Sequence, residues 1–588
     1  MVKIYRSKNT SLNRVDVEIS SSDNFFAIKN TISSLIGSYY DRADRVHKIN
    51  IDDKDTLIQK LSKIDSEIIQ VDLNIYEIAE IFGNKRKELL KLRTTLDGID
   101  CGIKLINGYN LMPFQHIGVE FLYQCQKAIL ADKVGLGKTM QAFCAAYKLI
   151  QDDKAKKCII SVPATLKKKW KRDIKKFLGL DVVILEGSRD NRKTKFNKWL
   201  YTDDKFLIVS SDTLKIDWDN YMDSAMIDSF GVIIDEIQHF KNISTVRNKS
   251  LRAMIDNDKC KFRFGLSATY VETGLENLFG SMLIIDDTVF GKSFMSFAEK
   301  YIDYNYYTGG ISGYKNIEDA RDRMKFASIR RHKEQVKDQL RTNLPVINEN
   351  TLWVELNKDQ KEIYNDVLAK VLDKINNLVK ADKINMATAL TELIYLRQVS
   401  ISTELIESTI SSSVKMDALK DLLPELVEEN KVVIFCFFTG FIDQMERELK
   451  KIGIKSIAMH GSRKEGLSKN RQDYIDKFQN SKDINVLLTS DICKEGVDLE
   501  RTNYVINTDI LWNPASMVQR MGRIDRLNQI HDNIYVINLW CNSGIEFHMW
   551  NVLYERQELA NMIMDDGYKE SRVKKFSFKD LKSMLKRA

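Results

Sequence analysis

The sequence predicts an α/β protein: two parallel-sheet lobes, a helical insert between them, and a small α+β domain in front. Three observations lead there. The chain has 588 residues, room for three or four cores at roughly 100 to 200 residues per domain. Short apolar stretches alternate with longer amphipathic ones in two separate blocks, the pattern of parallel strands joined by crossover helices. Hydrophobic residues make up 44% of the chain and prolines number five, so packed cores are within reach and long Pro-rich linkers are not.

In the front domain, residues 1–65, Val15, Val17 and Ile19 alternate with polar residues as in a half-buried strand. Phe25, Ile28, Ile32 and Leu35 then fall at helical spacing. An alternating stretch from Val46 to Ile51, followed by Leu57, Ile58 and Leu61, repeats the pair. Residues 66–104 read as a charged helical connector. The first lobe, 105–285, carries candidate strands Ala128 to Ala131, Cys158 to Val162, Phe206 to Ser210 and Val232 to Ile234. Residues 286–412 are poor in strand signals and rich in charged helical ones, which predicts a helical insert and brace. The second lobe, 413–565, resumes with Val432 to Phe438, Ser456 to Met459, Val486 to Thr489, Tyr504 to Asn507 and Ile534 to Asn538. Residues 566–588 form a basic amphipathic tail that includes Arg572, Lys574, Lys575, Lys579, Lys582, Lys586 and Arg587.

Composition excludes several classes. The apolar run Val432 to Phe438 is far short of the roughly 20 residues a membrane helix needs. Met1 to Arg14 lacks the apolar core of a secretory signal, so a soluble cytoplasmic protein is expected. Richness in Ile, Asn and Lys points to an AT-rich genome, that of a bacterium or a phage, and so to the bacterial or host cytoplasm. A net charge of +8 permits a polyanionic partner without demanding one. The eight cysteines include no C-x-x-C pair, and His116 and His239 have no metal-ligand partners at suitable spacing. No zinc module is expected. Cys125, Cys144 and Cys493 read as small buried hydrophobes.

Three segments carry chemistry. Ala131-Asp132-Lys133-Val134-Gly135-Leu136-Gly137-Lys138-Thr139 follows an apolar strand and precedes a helix beginning near Met140. Backbone N–H groups of such a glycine-rich turn and of a helix start can cradle phosphates, with Lys138 reaching the β- and γ-phosphates and Thr139 holding Mg²⁺. Asp132 stands where the strict G-x-x-x-x-G-K-[ST] pattern has its first glycine, so an ordinary strand-end turn is the alternative for this loop alone. The second segment, Val232-Ile233-Ile234-Asp235-Glu236, puts two acids at the end of a buried strand. Asp235 could hold Mg²⁺ through water, and Glu236 could orient and deprotonate an attacking water. The third is Gln519-Arg520-Met521-Gly522-Arg523-Ile524-Asp525-Arg526, where Arg523 and Arg526 would share one helix face and stabilise charge on a γ-phosphate. Taken singly, an acid-capped strand end and a salt-bridged surface helix are the alternatives for these two.

Together, and in this order, the segments resemble superfamily 2 helicase-like ATPases related to the DEAD/DEAH-box group. Within them they resemble Swi/Snf-type double-stranded DNA translocases, over about Leu105 to Asp565. The resemblance implies two RecA-like lobes, ATP and Mg²⁺ as cofactors, and duplex or branched DNA held by its phosphate backbone. Leu111-Met112-Pro113-Phe114-Gln115 is similar to the adenine-reading segment, with Gln115 as the base contact. Gly135 to Met140 complete the nucleotide-binding set. Ser161-Val162-Pro163 with Leu166 and Trp170 is similar to motif Ia, and Asp235-Glu236-Ile237-Gln238-His239 to the Walker B box. Gly265-Leu266-Ser267-Ala268-Thr269 fills motif III, which implies coupling of hydrolysis to nucleic-acid grip through Ser267 and Thr269. Ile329-Arg330-Arg331 to Leu344-Pro345 resembles the brace, Ser490-Asp491 with Glu495 to Leu499 motif V, and Trp512-Asn513-Pro514 with Gln519 to Arg526 the approach to motif VI and motif VI itself.

Four departures bear on the substrate. Lys133-Val134 replaces an acid and methionine, Ser267-Ala268-Thr269 stands where this group more often has Thr-Gly-Thr-Pro, and Lys494 stands in a glycine-rich part of motif V. Gly522-Arg523-Ile524-Asp525-Arg526 is closer to divergent bacterial members, including the ATPase that recycles RNA polymerase. These speak against eukaryotic-style nucleosome remodelling and remove no catalytic residue. The front domain resembles the HARP-like domain of annealing helicases through Val15 to Ile19, Tyr40-Asp41 and His47-Lys48-Ile49, without the tryptophan usual near His47. A partner-docking or structural cap is the alternative. After motif Ia, Leu166, Trp170, Ile174 and Phe177 should face the core, leaving Lys167, Lys168 and Lys171 to track phosphates. Thr489 and Ser490 join them as candidate nucleic-acid contacts. The expectation is an ATP-dependent duplex-DNA motor acting on branched DNA, with a remodeller that strips proteins such as RNA polymerase, or an RNA helicase, as rivals.

Overall fold

The computed structural model describes residues 2–6, 14–19, 25–33, 35, 38–41, 46–50, 54–64, 69–71, 74–218, 227–256, 258–272, 274–304, 310–340, 345–380, 386–461, 467–490, 499–525, 529–542 and 544–564. Arg526, Leu344, Asp491 to Asp498 and the basic tail, all singled out from the sequence, lie outside them. Two compact units result: the first runs to Gln339, apart from the loop Val134–Leu136, and the second holds Leu340–Leu559. Among the described residues no helix is long and apolar enough to cross a membrane.

The first unit begins with five strands: β1 (Val2–Arg6), β2 (Arg14–Ile19), β3 (Tyr39–Asp41), β4 (Val46–Asn50) and β5 (Ile69–Val71), in the order β3-β4-β2-β1-β5. The helices Phe25–Ser33 and Lys54–Ser62 bury Ile28, Ile32, Leu57 and Leu61 in one cluster with Val2, Ile4, Val15, Val17 and Ile49. The sheet extends beyond the expected limit at residue 65, because β5 pairs in parallel with β1. Three residues are too few for alternation to show. The connector is the helix Asn74–Thr94, whose Arg86 guanidinium lies 4.5 Å from the Phe326 ring centroid.

A parallel sheet follows, from β6 (Lys127–Leu130), β7 (Lys157–Val162), β8 (Val182–Ile184), β9 (Phe206–Ser210), β10 (Phe230–Asp235) and β11 (Cys260–Leu266). Long helices between these strands cover both faces. Accordingly β9 is buried at every position and β7 at all but its first, as strands sandwiched between helix layers must be. In the helix Lys167–Leu178, Trp170, Ile174 and Leu178 are buried, while Leu166 and Phe177 are half-buried beside them.

Residues 286–412 are mostly helical, with strands among the helices that the sequence did not show. They contain a hairpin of β12 (Ile302–Tyr304) and β13 (Ile311–Tyr314), then β14 (Ser328–Ile329) and β15 (Val346–Val354). β14 completes the first sheet, in the order β14-β6-β11-β10-β7-β9-β8. β15 belongs to the second unit, where it pairs in parallel with the last strand. That sheet runs β15-β20-β19-β16-β18-β17, from β16 (Val432–Phe435), β17 (Ser456–Met459), β18 (Val486–Thr489), β19 (Tyr504–Asn507) and β20 (Asn533–Cys541). β15 escaped sequence reading because Asn348, Glu349 and Asn350 interrupt it and none of its residues is fully buried. The helices Lys358–Lys380 and Met386–Ile401 pack Tyr364, Val371, Leu393 and Leu396 with Trp540 and Met549. Buried in the same unit, Lys415 Nζ donates to both Glu546 carboxylate oxygens at 2.7 Å and to the Thr508 carbonyl at 2.7 Å.

Candidate nucleotide site

Ligands of parallel α/β sheets bind beyond the carboxyl ends of the strands. β6 ends at Leu130, and the chain turns through the glycine-rich loop into the helix Lys138–Gln151. Gly135 and Gly137 have φ of 92° and 75°, left-handed values that suit glycine. A Cβ on Gly137 would stand 2.6 Å from Gln115 Nε2. Gln115 is buried in the first turn of the helix Pro113–Cys125, where its Oε1 accepts from the Met112 N–H at 2.9 Å. The loop helix starts at Lys138 instead of near Met140, so Lys138, Thr139 and Met140 form the first turn. Backbone N–H groups there lack acceptors within the helix and draw anions. Lys138 Nζ donates to the Asp132 carbonyl at 2.7 Å and the Lys133 carbonyl at 3.4 Å.

The acids at the end of β10 lie close by. Trp170 Nε1 donates to Asp235 Oδ2 at 2.9 Å, and the Glu236 N–H donates to Asp235 Oδ1 at 3.1 Å. Burial pushes the Asp235 carboxyl up to about 7 and the charge of Glu236 adds to it, while the Trp170 N–H and the Lys138 ammonium pull it down. Lys138 and Asp235 therefore feel each other. Glu236 has φ 54°, a left-handed conformation uncommon outside glycine, and its carboxylate accepts from Gln238 Nε2. At the end of β11, the buried Ser267 donates its N–H to the Leu130 carbonyl at 3.3 Å and accepts from the Thr269 N–H at 2.9 Å. This segment is thus tied to the strand that carries the loop.

Asp132 and Arg331 form a site that sequence reading missed. Both are essentially buried, and Arg331 donates to Asp132 Oδ1 from Nε at 2.9 Å and to Oδ2 from Nη2 at 2.5 Å. Asp132 in the place of a glycine was the visible sign.

Lys168 and Lys171 are exposed on the helix Lys167–Leu178, whereas Lys167 is half-buried and lies 3.8 Å from Glu186. The structure also brings Asp100 and Cys101 beside His116, which spacing did not show. The Cys101 N–H donates to His116 Nδ1 at 3.2 Å.

In the second unit, Gln519 and Arg523 are nearly buried, and Arg520 is fully so, donating to Asp509 Oδ1 at 3.1 Å. Arg523 Nε donates to the Gln519 carbonyl at 3.3 Å. The helix Pro514–Met521 ends before Arg523, so the expected helical face shared by Arg523 and Arg526 is not formed at Arg523. Thr489 is corrected as a nucleic-acid contact: it is fully buried, with its hydroxyl on the Met459 carbonyl at 3.0 Å. Ser490 is half-buried.

Two family models match the chain, the SNF2-related domain over residues 114–405 and the helicase conserved C-terminal domain over 414–528, together more than two thirds of its length. The chain belongs to the SNF2-related helicase-like ATPases. An uncharacterised ATP-dependent helicase of Bacillus subtilis is 25% identical over 468 residues, 75% of this chain and 76% of the relative. One from Mycoplasma pneumoniae is 25% identical over 475 residues, and there the match spans 79% of this chain but 43% of the relative. A RAD54-like DNA repair and recombination protein of Drosophila yakuba is 24% identical over 532 residues, 81% of this chain and 65% of that protein. Among solved structures, the Sulfolobus solfataricus SWI2/SNF2 ATPase core in complex with dsDNA covers 80% of this chain and 99% of its own at 20% identity, with a TM-score of 0.36. The SNF2-related assignment makes the protein a helicase-like enzyme of an ATP-dependent family.

Proposed function

We propose that this SNF2-related protein is a motor that hydrolyses ATP to ADP and phosphate while tracking along duplex DNA, and that its work is on branched DNA. The observation that carries the reading is that Lys138, in the first turn of the helix that follows β6, lies close enough to Asp235 at the end of β10 to act on its charge. In this reading Lys138 leaves the Asp132 carbonyl for the β- and γ-phosphates, and the first turn of its helix holds their oxygens through backbone N–H groups. Gln115 meets the adenine. Glu236, held out of ordinary backbone geometry, orients the attacking water and takes its proton. Thr139 and Asp235 offer the hard oxygen donors that Mg²⁺ favours, and the Glu236 charge, which adds to burial in lifting the Asp235 carboxyl, is what a divalent cation offsets. Bound there, Mg²⁺ would neutralise charge on the β- and γ-oxygens. Arg523 and Arg526 keep the part the resemblance implies, stabilising charge on the transferred phosphoryl group.

DNA as the track rests on the exposed Lys168 and Lys171 and on relatives named for DNA repair and recombination. Contacts to phosphates give sequence-independent tracking and a steep fall of stimulation with salt. Steady-state ATPase rates with no nucleic acid, single strands, blunt duplex, forked duplex and RNA test this. Stimulation by fork above blunt duplex and single strands is expected. Stimulation by RNA alone, or by a protein partner with no fork preference, would replace this reading with an RNA helicase or a protein-stripping remodeller.

A further inference from the structure

The buried Asp132–Arg331 pair ties together the parts of the loop. Asp132 opens the loop, and Gln141 lies one turn into the helix that closes it. Arg331 Nη2 donates to Gln141 Oε1 at 2.7 Å as well as to Asp132, and Gln141 Nε2 donates to Asp132 Oδ2 at 3.1 Å. The three side chains make a closed ring under the loop. Arg331 Nη1 also donates to the Phe114 carbonyl, next to Gln115, and the guanidinium lies 5.2 Å from the Phe114 ring centroid. Room for it exists because residue 118 is glycine: a Cβ there would stand 1.8 Å from Gln141 Oε1 and 2.6 Å from Arg331 Nη2. The backbone repeats the attachment, since the Ala131 N–H donates to the Ile329 carbonyl at 2.7 Å and the Lys133 N–H to the Arg331 carbonyl at 3.0 Å.

We infer that Arg331 is a positioning residue for nucleotide binding, acting through Asp132 and Gln141 to hold the two ends of the phosphate loop at a fixed separation. Asp132 replaces the usual glycine because its carboxylate is the anchor for this guanidinium. Its carbonyl, held in place by the same anchor, receives the Lys138 ammonium at 2.7 Å. Lysine is a poorer fit, as its three donors radiate from one nitrogen, whereas the planar fork spreads its donors over three nitrogens that reach the carboxylate, the amide and the carbonyl. The inference rests on the proposed nucleotide role of the loop.

The test separates positioning from stability. Arg331→Met alone leaves a buried carboxylate without its cation and is expected to melt early or fail to fold. The double variant Asp132→Asn with Arg331→Met removes both charges, so its melting temperature should return close to that of the unaltered protein. Its affinity for a fluorescent ATP analogue should nevertheless fall about tenfold or more, with KM for ATP rising in step and kcat changing much less. Lys138→Ala is measured alongside. A double variant that melts normally and binds nucleotide normally overturns the inference alone. Absence of binding by the unaltered protein, or full binding by Lys138→Ala, overturns the reading of the loop and this inference with it.

Discussion

Trp170→Phe isolates one hydrogen bond at the candidate catalytic acids. A six-membered aromatic ring stays in the core, and the N–H that reaches Asp235 Oδ2 at 2.9 Å is lost with the five-membered ring that carries it. A hydrogen bond to a charged group contributes ~1.5–3 kcal/mol, and 1.36 kcal/mol corresponds to one pKa unit, so losing it lifts the Asp235 carboxyl by roughly 1–2 units. Burial and the Glu236 charge already hold that group at about 7, raised from its ordinary value. A raised acid is deprotonated only at higher pH, so metal-competent Asp235 grows as pH rises through 7. At pH 7.5 the ionised fraction then falls from about three quarters to between about a quarter and a few per cent. Because protons and Mg²⁺ compete for this carboxylate, ATP hydrolysis at limiting Mg²⁺ should drop by up to that factor at pH 7.5 and recover toward pH 9, with the acid limb of the rate profile displaced upward. Phe143→Leu is the control, because Phe143 meets the Trp170 ring edge-on at 6.4 Å and touches packing alone. It should lower the melting temperature without moving the limb. An unmoved limb in Trp170→Phe, or a loss that alkaline pH does not restore, would refute the argument.

Three further outcomes follow from named contacts. Glu236→Gln should slow hydrolysis by about 10²–10⁴-fold while a fluorescent ATP analogue still binds, measured by single-turnover kinetics and titration. Lys415→Met leaves Glu546 buried without its cation. It should cost the second unit about 3–5 kcal/mol, a calorimetric melting shift of roughly 6–20 °C. Gly280→Ala places a Cβ 1.8 Å from the Lys241 carbonyl oxygen, a backbone atom that cannot swing aside. A loss of about 1–3 kcal/mol in denaturant titration is expected.

The loop at Lys138 and the acids at Asp235 are legible in sequence because glycines with a lysine, and paired acids, directly after apolar runs mark the ends of buried strands. The interiors of both sheets are legible for a related reason: strands buried on both faces read as continuous apolar runs, as β9 and β16 do. What escaped lies at edges and over long separations. β5 and β14 have three and two residues, too few for any period, and β15 is polar in the middle. Arg331 stands 199 residues from Asp132, so only the misplaced acid hinted at a partner. Trp170 was readable as core from its helical spacing, yet nothing in that spacing shows that its N–H turns toward Asp235. Thr489 was misjudged for the opposite reason: a motif resemblance says where a residue sits in the chain and not which way its hydroxyl faces.

The pairing of β15 with β20 has a consequence in time. Val346 lies opposite Asn533, about 190 residues later in the chain. At a synthesis rate of about 5–20 residues per second, β15 emerges roughly 10–40 s before the strand it needs. During that interval Val346, Ile347, Leu352 and Trp353, partly exposed even in the finished protein, have no sheet to join. The helices Lys358–Lys380 and Met386–Ile401 rest on local contacts and are complete in the chain well before Asn533 is made. A chain stopped short of Asn533 would leave that strand permanently unpaired, a ready nucleus for association between incomplete copies.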